Sequence, residues 1–284
     1  MDGLPTLTLG PDGEEIPRLG LGTWQMEHDD PQACIRALRR GVDLGARLVD
    51  TAELYGRGEV ERLVGEALDG LRAEVFLVTK VLPSNASREG TVQAMEASLE
   101  RLATDHVDLY LLHWTSRHPI EETMAAFREL VEEGLTRYVG VSNLSLQAFH
   151  EAQAALGEDI PLVTDQVLYW LGARNVENDL LPGLAEAGRT LMAYSPFGSG
   201  ALPGPGTPGG DALNEVAQRH EASPHQVALA WVLRHEHVFA IPKTSSVAHL
   251  EENLRAAELT LTDEDLSRLD KGFPRGTGSR IQTL

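Results

Sequence analysis

The stretch VFLVTKVLPSNASREGTVQAMEASLERLATDHVDLYLLHW, residues 75–114, decides the fold. It opens on VFLVTKV (75–81), an apolar run rich in valine that reads as a strand. TVQAMEASLERL (91–102) then spaces its apolar residues as a helix does, and VDLYLLHW (107–114) is again a strand. Two such strands joined through a helix pair in parallel with a right-handed crossover. The first carries Lys80 near its end; the second ends on His113 and Trp114. A charge taken out of water needs a partner, so these ends raise the question of function.

The same unit recurs in both directions. Upstream lie RLGLGTW (18–24), a helix from Asp30–Pro31 onward, RLVDTA (47–52) and the amphipathic EVERLVGEAL (59–68). Downstream the strands are RYVGVSN (137–143), LVTDQVLY (162–169), TLMAYSP (190–196) and FAIPKT (239–244). The helices between and after them are EETMAAFRELVEEG (121–134), LQAFHEAQAAL (146–156), the Pro182-broken DLLPGLAEAG (179–188) and SVAHLEENLRAA (246–257). Asp30–Pro31 is an N-cap followed by proline at the first helical position, and Ser223–Pro224 opens an extra helix in the same way. Eight strand–helix units predict an α/β fold, a (β/α)8 barrel over residues 1–284 as one domain. An open doubly wound sheet is the alternative; its phosphate loop is incomplete, since Gly20 and Gly22 are followed by Gln25 where a third glycine belongs. Residues 1–17 predict a hairpin with a Pro11-Asp12-Gly13 turn, suited to plug the bottom of a barrel. FGSGALPGPGTPGG (197–210) is either a flap over a ligand or a solvated linker. TDEDLSRLD (262–270) reads as a solvated helix start, and 272–284 as a polar tail.

A net charge of −19 repels phosphate backbones and argues against nucleic acid as a partner. No run approaches the roughly 18 apolar residues of a membrane span, and MDGLPTLTLG has no basic segment ahead of an apolar core. A single cysteine, Cys34, falls in a helical pattern and forms no internal disulfide. A reduced, cytoplasmic setting is the expectation.

In a barrel of this kind the reactive groups gather at the C-terminal strand ends. Those ends carry Trp24, Asp50 with Tyr55, Lys80, His113 with Trp114, Ser142 and Asn143, Gln166, Tyr194 with Ser195, and Lys243 with Thr244. Only three lysines exist, Lys80, Lys243 and Lys271, and two of them stand at strand ends. A tyrosine is a poor acid at pH 7 unless a cation stabilises its phenolate. Lys80 is that candidate cation; at about 4 Å and an effective dielectric near 20 the pair is worth roughly 4 kcal/mol. Asp50 would keep Lys80 charged, and His113 would hydrogen-bond a substrate oxygen or join the proton relay. The set suits handing a proton to an oxygen gaining negative charge, as in a carbonyl being reduced.

GLGTW, DTAELYG, VTK, LLHW, GVSN, AYSPFG and IPKTSS…EEN, in this order over about residues 5–270, resemble the successive signatures of the aldo-keto reductases. The resemblance implies a metal-free (β/α)8 barrel that reduces aldehydes and ketones with a nicotinamide cofactor, NADPH first and NADH second. It implies Tyr55 as general acid, completed by Asp50, Lys80 and His113. Tyr194 would stack on the nicotinamide, with Ser142, Asn143 and Gln166 on its carboxamide. The stretch from Ser195 through Phe197 to Ser199 would hold the pyrophosphate, and Gly22, Thr23 and Trp24 would also touch the cofactor. Lys243, Thr244 and Ser245 would meet the adenosine 2′-phosphate at a helix start, a place suited to an anion. Glu252 and Asn253 would bind the adenine. A monomer is the expected state.

Two departures shape the expectation. His249 stands where many NADPH-preferring members carry arginine, and a largely neutral imidazole is the weaker phosphate ligand. The loop TSRHPIEE (115–122) is short and the tail is polar, so Trp24, Leu54, Leu82 and Trp114 are left as the walls of an open pocket. Small aldehydes, 2-oxoaldehydes and keto esters are the expected substrates. Two other readings are a redox-sensing subunit that holds the dinucleotide without rapid turnover and a metal-dependent barrel hydrolase. The latter lacks ligands, since His113 is the one strand-end histidine; HEH (235–237) falls on the opposite face and reads as helix-end stabilisation.

Overall fold

The computed structural model describes residues 3–10 and 13–283. Strands β1 (Thr6–Leu9) and β2 (Glu14–Pro17) form the antiparallel N-terminal hairpin. Of its expected turn, Pro11 and Asp12 lie outside the described residues. Eight strands follow: β3 (Leu21–Gly22), β4 (Leu48–Asp50), β5 (Phe76–Val81), β6 (Val107–Leu112), β7 (Thr136–Ser142), β8 (Leu162–Leu168), β9 (Thr190–Tyr194) and β10 (Val238–Ala240). They pair in parallel in chain order. Parallel bridges Leu19–Ala240 and Gly22–Lys243 join the first to the last, with Gly20 donating to the Ala240 carbonyl at 2.9 Å and Gly22 to that of Pro242 at 3.1 Å. The sheet therefore closes, and the open doubly wound alternative is set aside. Gly22 is required at this seam: a Cβ there would lie 2.4 Å from the Ile241 carbonyl oxygen.

Helices cover the outside: α1 (Pro31–Asp43), α2 (Glu59–Ala67), α3 (Arg88–Leu102), α4 (Ile120–Glu132), α5 (Leu146–Leu156), α6 (Leu180–Glu186), α7 (Pro208–Arg219), α8 (Pro224–Val232), α9 (Val247–Arg255) and α10 (Asp263–Gly272). Every residue of β5, β6 and β8 is buried, because each strand is packed on both faces. The apolar interior is in two parts. One lies between strands and helices and includes Cys34. The other fills the barrel, where Leu7, Leu9 and Ile16 of the hairpin join Leu48, Phe76, Leu109, Met192 and Phe239, so the hairpin plugs the barrel bottom.

Four features depart from the sequence reading. α6 is not broken at Pro182, which lies in its first turn, where the missing N–H has no helical partner to lose. The strand expected over 239–244 stops at Ala240, because Pro242 has no N–H to extend the ladder. The segment 197–210 is not one loop: α7 begins inside it, with the Thr207 hydroxyl accepting from the Gly210 N–H and Pro208 in the first turn. The carbonyls beyond α8 are satisfied by Arg18, whose guanidinium donates to Leu233, His235 and Val238, and not by the histidines of HEH. Burial lowers His235 to about 4, so it is neutral at pH 7 and adds no charge at that helix end. Among the described residues, no helix is long and apolar enough to cross a membrane.

Candidate active site

The parallel register brings β4 and β5 together so that Asp50 and Lys80 meet above the plugged core. The Lys80 ammonium has three donors and uses all of them: the Asp50 carboxylate at 2.8 Å, the Thr51 carbonyl at 2.7 Å and the Tyr55 phenol oxygen at 3.3 Å. The other Asp50 oxygen accepts from the Gln166 amide at 2.7 Å. Burial pushes Asp50 up and Lys80 down, and their mutual attraction opposes both shifts. The Tyr55 phenol is also raised, well above its ordinary 10, first by burial and then by the Asp50 charge. This reverses the sequence expectation of a phenol drawn down by lysine. The phenolate would be desolvated, and the lysine charge is already shared with Asp50 and the Thr51 carbonyl.

His113 completes the group. Its ring stands edge-on to Tyr55, centroids 5.9 Å apart at 74°, and stacks on Trp114 at 3.9 Å. Burial, then the Lys80 charge, lowers it to about 2, so it is a neutral imidazole. Its Nδ1 is buried without a hydrogen-bond partner. That nitrogen is shut off from solvent, so a ligand in the cavity that His113 lines would meet the ring at its other nitrogen.

That cavity, about 470 Å³, opens at the C-terminal strand ends. Gly22, Thr23 and Trp24 line it from β3 and its following loop; Asp50, Leu54 and Tyr55 from β4; His113 and Trp114 from β6. Asn143 and Gln166 contribute from β7 and β8, and Tyr194, Ser195, Phe197 and Ser199 from β9 and its loop, with Lys243 at the seam. Trp24 and Leu54 are the exposed large apolar side chains among the described residues, at 36% and 39%, so the mouth is open. Seven described non-glycine residues have positive φ, and four of them, Gln25, Asn143, Ser195 and Ser199, line this cavity. Such backbone clusters at sites where a scaffold holds it for a purpose. Asn143 is fixed by accepting from the Tyr194 hydroxyl at 2.9 Å and donating to the His113 carbonyl at 3.2 Å.

Other expected residues stand outside the lining. Ser142 lies beneath it, donating to the Gln166 carbonyl at 2.7 Å. Leu82 does not form a wall: the Glu53 carboxylate accepts its N–H at 2.6 Å and binds Asn85, holding that loop aside. Thr244 and Ser245 are partly buried at the start of α9, His249 is exposed, and Glu252 and Asn253 lie one turn further on. None of these five residues lines the cavity, which ends at Lys243 on this side.

Sequence reasoning missed several residues here. Glu53 sat inside the quoted DTAELYG motif without a role. Trp170 supports the Ser195–Ser199 turn: Gly198 has φ +61°, and a Cβ on it would meet the indole at 2.6 Å. Asp29, just before α1, binds Lys243 through its carboxylate. Nothing in the local sequence marks these tertiary contacts. Among the described residues, no three His, Cys, Asp or Glu side chains are grouped to hold a metal ion.

The chain matches the model of the Aldo/keto reductase family over residues 18–272. It is 44% identical to methylglyoxal reductase YeaE of Escherichia coli K12, over 93% of both chains. It is 33% identical to methylglyoxal reductase DkgB of Escherichia coli O157:H7, over 88% of this chain and 90% of that protein. A crystal structure of an aldo/keto reductase from Klebsiella pneumoniae in complex with NADP and acetate superposes with a TM-score of 0.91 at 38% identity, covering 99% of this chain and all of the other. With its fold, its strand-end residues and these relatives in agreement, the chain belongs to the aldo/keto reductase family.

Proposed function

We propose that this protein reduces the carbonyl group of small aldehydes and 2-oxoaldehydes, methylglyoxal among them, with NADPH as the preferred cofactor and NADH as the second. The observation that carries the reading is the Asp50–Lys80–Tyr55 contact chain facing an open cavity, with a neutral His113 in the lining beside it. The cavity suits a nicotinamide dinucleotide: amide groups of Asn143 and Gln166 and the Tyr194 ring lie toward the acid cluster, and a lysine stands at the seam. When bound, the reduced cofactor supplies the hydride.

The chain's own residues do the rest. Tyr55 keeps its proton throughout the neutral range, because burial and Asp50 hold it there. It donates that proton to the carbonyl oxygen, and the phenolate that results sits 3.3 Å from the Lys80 ammonium. Asp50 holds Lys80 in place and charged. His113, unable to compete as a cation, orients the oxygen by hydrogen bonding. Trp24, Leu54 and Trp114 give an apolar but open wall, which suits small substrates of varied shape. We further propose that residues 1–284 act as one domain, as a cytoplasmic monomer.

The test is loss of absorbance at 340 nm with purified protein, methylglyoxal or a nitrobenzaldehyde, and NADPH or NADH in parallel. Aldehyde-dependent oxidation that falls at least about 10²-fold in Tyr55→Phe is expected. Protein that binds NADPH but oxidises it with no aldehyde of a panel would favour the redox-sensor reading instead.

A further inference from the structure

Lys243 stands at the barrel seam, bridged to Gly22, and its side chain is 29% exposed at the edge of the cavity. Its ammonium is not free. The Asp29 carboxylate, 28% exposed, accepts a hydrogen bond from it and also takes one from Ser245. Asp29 comes from the opposite bank, between the short turn Met26–His28 and α1. The pair thus ties the β3 side of the seam to the β10 side at the point assigned above to an adenosine 2′-phosphate.

A 2′-phosphate and a carboxylate are both anions and cannot share one ammonium without repelling each other. A ribose 2′-hydroxyl is different: it can donate to a carboxylate, the usual way an acidic side chain accepts NADH. His249, on the exposed face of α9, is a weak substitute for a second permanent cation. We propose that Asp29 is a specificity-determining residue that competes with the 2′-phosphate for Lys243 and so narrows the preference for NADPH over NADH. The proposal rests on the NADPH reading under Proposed function and on the contact between Lys243 and the 2′-phosphate that the family resemblance implies.

The test reads binding without turnover. Adenosine 2′,5′-bisphosphate and 5′-AMP are titrated calorimetrically into the wild type, Asp29→Asn, Lys243→Met and the double variant, with thermal melts to confirm folding. Asp29→Asn is expected to tighten the bisphosphate about tenfold, as removal of one nearby charge allows, and not to tighten 5′-AMP. The gain should be clearly smaller in the Lys243→Met background, where only the direct repulsion between carboxylate and phosphate is left to remove. Equal changes for both nucleotides, or weaker bisphosphate binding in Asp29→Asn, would overturn the proposal while leaving the reductase reading intact. If Lys243→Met alone leaves the bisphosphate preference of the wild type unchanged, the Lys243 assignment itself fails and the proposal with it.

Discussion

Two aspartate–lysine pairs stand at the rim of this barrel, made from the same two side chains. In Asp50–Lys80 both groups are shut from water, at 2% and 0% side-chain exposure. In Asp29–Lys243 both are nearly a third exposed. Contact is close in each, so distance does not separate them. What differs is the alternative open to each charge. Water can replace a partner at the seam; nothing can beneath the cavity. The buried pair is therefore a fixed element of the site, and the outer one is exchangeable.

Breaking each pair singly sharpens that contrast. Lys80→Met leaves Asp50 buried without its cation and should destabilise the fold by about 3–5 kcal/mol in urea denaturation. Aldehyde reduction should fall about 10²- to 10⁴-fold in the same variant. If Asp50→Asn added to Lys80→Met restores stability but not activity, the pair is separated into its structural and chemical parts. A loss under about 1 kcal/mol for Lys80→Met would mean that water reaches the pair.

An intermediate effect is expected at His113. Folded, it stays neutral down to about pH 2; in an unfolded chain it takes a proton near its ordinary 6.5. Between these values the unfolded state binds one more proton. Stability is therefore full above pH 6.5 and is lost as pH falls, by up to about 1.4 kcal/mol per unit. His235, lowered to about 4, adds a slope of the same sign over a shorter range. The slope of unfolding free energy between pH 6 and 4.5 should be shallower in His113→Asn by about 1 kcal/mol per unit. An unchanged slope would place water against the imidazole.

The smallest effect belongs to the outer pair. Asp29→Asn should change stability by less than about 1 kcal/mol, whatever it does to nucleotide binding. A larger loss would show that the strap across the seam holds the barrel shut.

The contrast also marks what the sequence makes legible. Strand positions such as Asp50, Lys80, His113 and Gln166 could be read because parallel strands place their ends on one rim whatever the loops do. The cap Ser223–Pro224 announced α8 correctly. Thr207–Pro208 carries the same signal for α7, but the surrounding glycines and prolines masked it. The sign of the Tyr55 shift was misread because a pairwise argument counts the lysine and omits the desolvation. Asp29, Trp170 and the Glu53 clamp on Leu82 were not legible, since each depends on how a loop folds back over a distant one.

The seam itself has one more consequence. β3 contributes two residues, and the closure from Leu19 to Lys243 rests on a few backbone bonds, against the longer ladders that join β5 to β6, β6 to β7 and β8 to β9. This is the line along which the barrel would breathe. The cavity has one bank on each side of it, Gly22 to Trp24 on one and Ile241 with Lys243 on the other. A molecule that fills the cavity acts as a clasp across that line. The amides of Gly20, Gly22 and Ala240 should then be the ones whose solvent exchange slows most when the protein takes its ligand.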